Sequence, residues 1–112
     1  MLDDAQDAGR GPLETCPGCR ITFAVPAAIA AARARRLDLA EAHAKSCECL
    51  ANVVMRLPAW RAALHEVHAH VARARGDGGG AAARFAAAAH GFRAAGHRLD
   101  ALRCEQLAGR AR

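Results

Sequence analysis

The chain has 112 residues, 53% of them hydrophobic, but much of the apolar share is alanine, and its aromatic residues are Phe23, Trp60, Phe85 and Phe92. That suits one domain with a thin, helix-on-helix core, in the size range where a staple helps. No run of 18 apolar residues and no basic segment leading into an apolar one occurs, so neither a membrane span nor a secretory leader is expected, and the expected setting is cytoplasmic.

The formal net charge of +5 is unevenly spread. Residues 1–15 hold Asp3, Asp4, Asp7 and Glu14 against Arg10 alone, which leaves fifteen basic and seven acidic residues for the rest. All the basic residues except Lys45 are arginine. Such charge suits a nucleic-acid backbone or an acidic partner, and equally the plain solvation of helix surfaces. The five cysteines fall in C-x2-C and C-x-C spacing with one left over. That pattern points to metal or thiol chemistry in a reducing compartment rather than to disulfides.

Residues 1–13 are polar, broken by Gly and Pro, and read as a flexible lead-in to a single domain over 14–112. Glu14 to Val25 is expected to form a knuckle at Cys16-Pro-Gly-Cys19 and a short extended piece with Phe23 and Val25 on one face. Pro26 suits the first turn of a helix over Ala27 to Arg35. Arg33, Arg35 and Arg36 make the densest basic cluster. Asp38-Leu-Ala-Glu41 reads as a capping box, which places a break near Arg36–Leu37 and a second helix through Leu57. Leu39, His43, Cys47, Leu50, Val53/Val54 and Leu57 form its apolar stripe.

Zn²⁺ takes about four S or N ligands in a tetrahedron; a C-x2-C pair supplies two, and a helix supplies two more at i and i+4. Cys16, Cys19, His43 and Cys47 are therefore the expected ligands if residues 39–57 are helical, because Cys47 and Cys49 then project about 200° apart. If the helix breaks near Ser46, Cys49 is the alternate ligand and His43 stands behind a four-cysteine site. With no metal, Cys47 is a small buried hydrophobe and His43 an ordinary histidine.

Cys16-Pro-Gly-Cys19 followed by His43-Ala-Lys-Ser-Cys47 resembles the C-x2-C…H-x3-C finger of ubiquitin-binding and related C2HC zinc modules, here with 23 residues between the pairs. The stretch from Glu41 through Cys49 to Val54 resembles the H-x3-C-x2-C segment of zinc-binding anti-sigma domains, which also runs on into a helix. Both resemblances imply a structural Zn²⁺; neither implies a particular partner.

Pro58 ends the second helix. Trp60, Leu64, Val67 and Val71 then form a core-facing seam, with His65, His68 and His70 on a solvated flank. Gly76-Asp-Gly-Gly-Gly80 reads as a flexible connector; no strand precedes it and no Gly-Lys-Ser/Thr follows, so it is not a phosphate loop. Ala81 to Ala108 is the longest helix candidate, with Phe85, Phe92, Leu99 and Gln106 seven apart. The expected fold is thus mainly α: a zinc-stapled knuckle and helices over 14–57, then an antiparallel hairpin over 58–108. His90, His97 and Cys104 form a stripe expected at the surface. An exposed Phe85/Phe92 seam would instead serve a partner or a second copy in a homo-oligomer.

No nucleophile elbow, H-E-x-x-H or convincing carboxylate pair appears, and four metal ligands make a closed structural site, so no enzyme is expected. The leading expectation is a zinc-stabilised regulatory or adaptor protein that binds a larger protein assembly, such as a transcriptional one. The second is a nucleic-acid-binding protein using Arg33, Arg35, Arg36, Arg73 and Arg75, whose mark would be convergence of those side chains on one face. The third is a redox or metal sensor in which oxidation of Cys47 or Cys49 ejects zinc.

Overall fold

A computed structural model describes residues 17–54 and 57–111. They are mainly helical: α1 (Pro17–Arg33), α2 (Leu37–Cys49) with a π-helical turn Leu50–Val54 running on from it, α3 (Pro58–Ala74), α4 (Gly78–Ala94) and α5 (Arg98–Ala111). No strand occurs among the described residues.

Three of the connections share one geometry. Arg35 (φ 60°), Gly76 (φ 85°) and Gly96 (φ 85°) each take the left-handed conformation just past a helix end. Their N–H groups donate to the carbonyl three residues back, in Ala32, Arg73 and Arg93. The next N–H groups, of Arg36, Asp77 and His97, reach five residues back to Ala31, Ala72 and Phe92 at 2.8–2.9 Å. This Schellman closure satisfies the last carbonyls and turns the chain sharply, so each following helix packs back along its predecessor. Glycine takes that conformation freely, whereas an L-residue pays about 1–2 kcal/mol. Arg35 is therefore the strained member of the three.

Several expected boundaries move. Neither the knuckle nor the extended piece expected before Pro26 is found among the described residues: residues 17–19 already open α1, which is continuous from Pro17 to Arg33 with Pro26 inside it. Ile21, Ala24, Ala28, Ala31 and Ala32 repeat at helical spacing and bury together, while Pro26 sits on the exposed face. A proline there forfeits one backbone donor, and the buried face outweighs the loss. The capping box does not form either. Arg36 is the N-cap of α2, without a side-chain cap bond, and Asp38 lies inside the first turn. The stripe of α2 fails beyond Leu50, where the π-turn takes an extra residue and leaves Val53 exposed.

The glycine run is not a connector but the first turn of α4, capped by Asp77, whose Oδ1 accepts from the Gly80 N–H at 2.9 Å. A Cβ on Gly80 would meet the Asp77 carboxylate in this rotamer, so a larger residue there would make the cap side chain shift. The long helix expected over 81–108 is broken at Gly96 into α4 and α5. The heptad of Phe85 and Phe92 therefore stops: Leu99 is 82% exposed and Gln106 is exposed. Residues 58–111 form an antiparallel three-helix array rather than a hairpin.

The core is alanine-rich. α1 and α2 pack on one side of α3 through Ile21, Leu50, Leu64, Val67 and Val71; α4 packs on α3, and α5 on α4. Trp60 is half-buried, as the seam of α3 requires. Phe85 and Phe92 are enclosed within the chain, so they offer no face to a second copy. Where α4 crosses α3, a Cβ on Gly91 would meet the Ala62 Cβ at 2.9 Å.

Candidate functional site

Two of the four expected metal ligands, His43 and Cys47, lie on α2. Phe23 and His43 meet edge to face, with ring centroids 5.7 Å apart. In an antiparallel pair, helical spacing would bring position 19, one turn before Phe23, toward position 47, one turn after His43. Cys47 is fully buried among Ile21, Ala44, Leu50 and Ala51, while Cys49, two residues on, faces solvent. Burial, with help from Glu48, pushes the Cys47 thiol up to about 12. Burial lowers the pKa of His43, which leaves a neutral imidazole with a lone pair to give. Cys16 and the Cys19 side chain lie outside the described residues. Among the described residues, no three His, Cys, Asp or Glu side chains gather as a metal site. The donor set itself, thiols and an imidazole at i, i+4, fits Zn²⁺, which would favour the thiolate that burial disfavours.

The five arginines do not form one track. Arg33, Arg35 and Arg73 line a cavity of about 180 Å³ together with His70, at the shared C-terminal ends of α1 and α3. Arg36 lines a neighbouring hollow with Arg35, Leu37, Asp38 and Leu39. Arg75 is engaged elsewhere, in an ion pair with Glu41 that ties α3 to α2.

No family model, no curated protein and no solved structure matches this chain.

The solvated flank expected of α3 is only partly so. Glu48 Oε1 sits 3.0 Å from His68 Nε2, and Arg84 donates to His65 Nδ1 at 3.1 Å. Both histidines are half-buried, and burial and the Arg84 charge lower both pKa values. A guanidinium on that imidazole nitrogen repels a cation, so this pair makes a poor metal site.

His70 is not on a flank at all. It is 6% exposed, edge-on to Phe85 with centroids 5.0 Å apart. Glu66, one turn earlier, is 4% exposed and holds Arg103 in a two-pronged ion pair, Nε at 3.0 Å and Nη2 at 2.8 Å. Cys104, expected at the surface, is fully buried beside this pair, and burial raises its thiol to about 12. The break at Gly96 explains the difference, because it rotates α5 and carries Ala101, Cys104 and Ala108 inward. His90 and His97 are exposed, as expected. No described helix is long and apolar enough to cross a membrane.

Proposed function

We propose that this chain is a non-enzymatic, zinc-stabilised helical adaptor that regulates a larger protein assembly by docking on it. Cys16, Cys19, His43 and Cys47 hold the ion, and the clamped α1–α2 hairpin fixes the scaffold. The observation that carries the reading is the contact of Phe23 with His43, one helical turn from buried Cys47; on helical spacing it would bring position 19 toward that thiol. A thiol this enclosed, beside an imidazole one turn away, is suited to a closed structural site rather than a reactive one. The docking face is the outer side of α5, where Leu99 and Leu102, three apart, are 82% and 48% exposed.

Elemental analysis of protein purified without added metal tests the clamp. One zinc per chain, lost in Cys47→Ser and kept in Cys49→Ser, supports it; no zinc in the wild type removes it. Leu99→Asp with Leu102→Asp should leave the melt unchanged and abolish co-purification with the assembly. Unaltered co-purification would move the docking face elsewhere.

A nucleic-acid track is less favoured, because Arg75 is paired with Glu41 and Arg36 lines a different hollow from Arg33 and Arg73, shared with Arg35 and Asp38. Exposed Cys49 is the thiol that a redox-sensing variant of the adaptor would use.

A further inference from the structure

The geometry points to a binding site for a dianionic phosphate group of a small solute, in the cavity lined by Arg33, Arg35, Arg73 and His70. Four observations converge on it. Three arginines from three places, the last turn of α1, the turn after it and the last turn of α3, line one hollow of about 180 Å³, the Arg73 guanidinium carbon also standing 6.0 Å from the centre of the Phe85 ring. None of the three has a carboxylate partner among the described residues, although Arg75, two positions from Arg73, has found Glu41. The Nδ1 atom of His70, buried in the wall, has no hydrogen-bond partner among the described residues. Arg35 holds the left-handed position that glycine fills in the two sister turns, so the chain keeps a strained residue there and gains a third positive charge at the cavity.

Arg33 and Arg73 also suit their helix ends, since cations offset the partial negative charge of a C-terminus. Two such ends amount to about −1, against +3 from the guanidinium groups, so the site remains attractive to an anion. Neither the strain at Arg35 nor the orphaned nitrogen follows from that simpler role. A carboxylate occupies one guanidinium fork, whereas a phosphate dianion has oxygens for three. The hollow is smaller than the roughly 300–1,000 Å³ of pockets that enclose a whole ligand, so it takes the phosphate and leaves the rest of the solute outside. The charged groups around His70 are Glu66 and Arg73 on its own helix, Arg33 from α1 and Arg103 from α5; Phe85 covers it from α4. An anion against Arg33 and Arg73 would relieve their repulsion of the imidazolium, so occupancy should raise the pKa of His70.

The test uses the full chain and inorganic phosphate, with chloride at matched ionic strength as control. Phosphate should raise the melting temperature saturably and move the His70 imidazole resonances and their titration upward in pH, while chloride does neither. Arg35→Gly should bind phosphate at least tenfold more weakly, yet melt higher than wild type without it. Arg33→Gln with Arg73→Gln should abolish the response with the helical spectrum unchanged. Equal responses to phosphate and chloride, or wild-type affinity in Arg35→Gly, would overturn the proposal and leave the arginines as helix-end counter-charges. A short DNA duplex makes the last arm. Its monoanionic diesters should bind more weakly than phosphate, with a log–log salt slope no steeper than about one in magnitude, whereas a slope several times larger, with affinity above that for phosphate, would overturn the proposal in favour of a polyanion track.

Discussion

Glu66 and Arg103 join α3 to α5 across a two-pronged ion pair in which the carboxylate is buried and the guanidinium half-exposed. Arg103 also bonds Asp100, and its guanidinium carbon stands 5.9 Å from the centre of the Phe92 ring. A buried carboxylate stripped of its partner is costly, while replacing both members by apolar groups is often neutral. Arg103→Met should therefore cost about 2–4 kcal/mol in a denaturant melt. Glu66→Leu with Arg103→Met should recover most of it. Simple additivity of the two changes would mean that the pair contributes nothing as a pair.

His70 should make the fold acid-sensitive. Burial, reinforced by Arg73, Arg33 and Arg103 against the pull of Glu66, brings its pKa down to about 4 from the ordinary 6.5. Between those values the unfolded chain binds the proton and the folded one refuses it. Stability is then full above pH 6.5 and falls as the pH drops toward 4, by up to about 3 kcal/mol. Urea melts from pH 7 to 4 in chelator should show that slope, and His70→Gln should flatten it. An unchanged slope in the variant would assign the acid sensitivity to other groups.

Glycines on α4 should split into opposite classes. A Cβ on Gly79 would have nothing within 4 Å, so Gly79→Ala should gain up to about 1 kcal/mol from helix propensity. Gly91→Ala gains the same propensity but drives its methyl into Ala62 at 2.9 Å, which should leave it net destabilising by about 1–2 kcal/mol. Ala62→Gly should rescue Gly91→Ala in a double-mutant cycle. Two stabilising glycine replacements would show that α3 and α4 slide apart easily.

The cysteines separate by their response to zinc. Cys104→Ser exchanges a fully buried thiol for a more polar hydroxyl and should cost about 1–3 kcal/mol with or without the metal. Cys16→Ser and Cys47→Ser should cost more in excess zinc than in chelator, since structural zinc is worth about 10 kcal/mol or more coupled to folding. Cys49→Ser, at an exposed position, should be near wild type in both. Matching losses for Cys47 and Cys49 in zinc would refute the i, i+4 ligand set.

Much of the helical framework is legible in the sequence because burial follows period. Trp60, Leu64, Val67 and Val71 read as one seam and lie in or against the core. The break after Arg36 is visible too, though not its mechanism, since a left-handed arginine has no signature in sequence. The Gly78–Gly80 run misleads because glycine breaks helices on average, and only the contact between Asp77 and Gly80 reverses that preference. Gly96 reads as a small residue between apolar positions, yet its positive φ ends α4; Leu99 and Cys104 then exchange sides. Glu66 and His70 cannot be singled out, because nothing local reveals that Arg103, 37 residues beyond Glu66, comes to the same carboxylate. Opposite charges near one seam are the only available hint.

The alanines set which accidents this protein tolerates. Among the described residues, seventeen of the twenty-six buried apolar positions are alanine. An alanine has almost nothing to lose by truncation, so the interior is guarded against growth rather than loss. Most cores fail through missing methyl groups; this one should fail through added ones, with Ala→Val at fully buried Ala88 or Ala101 forcing helices apart. Drift in such a chain is confined to its outer faces, where arginine and leucine can change without moving a helix.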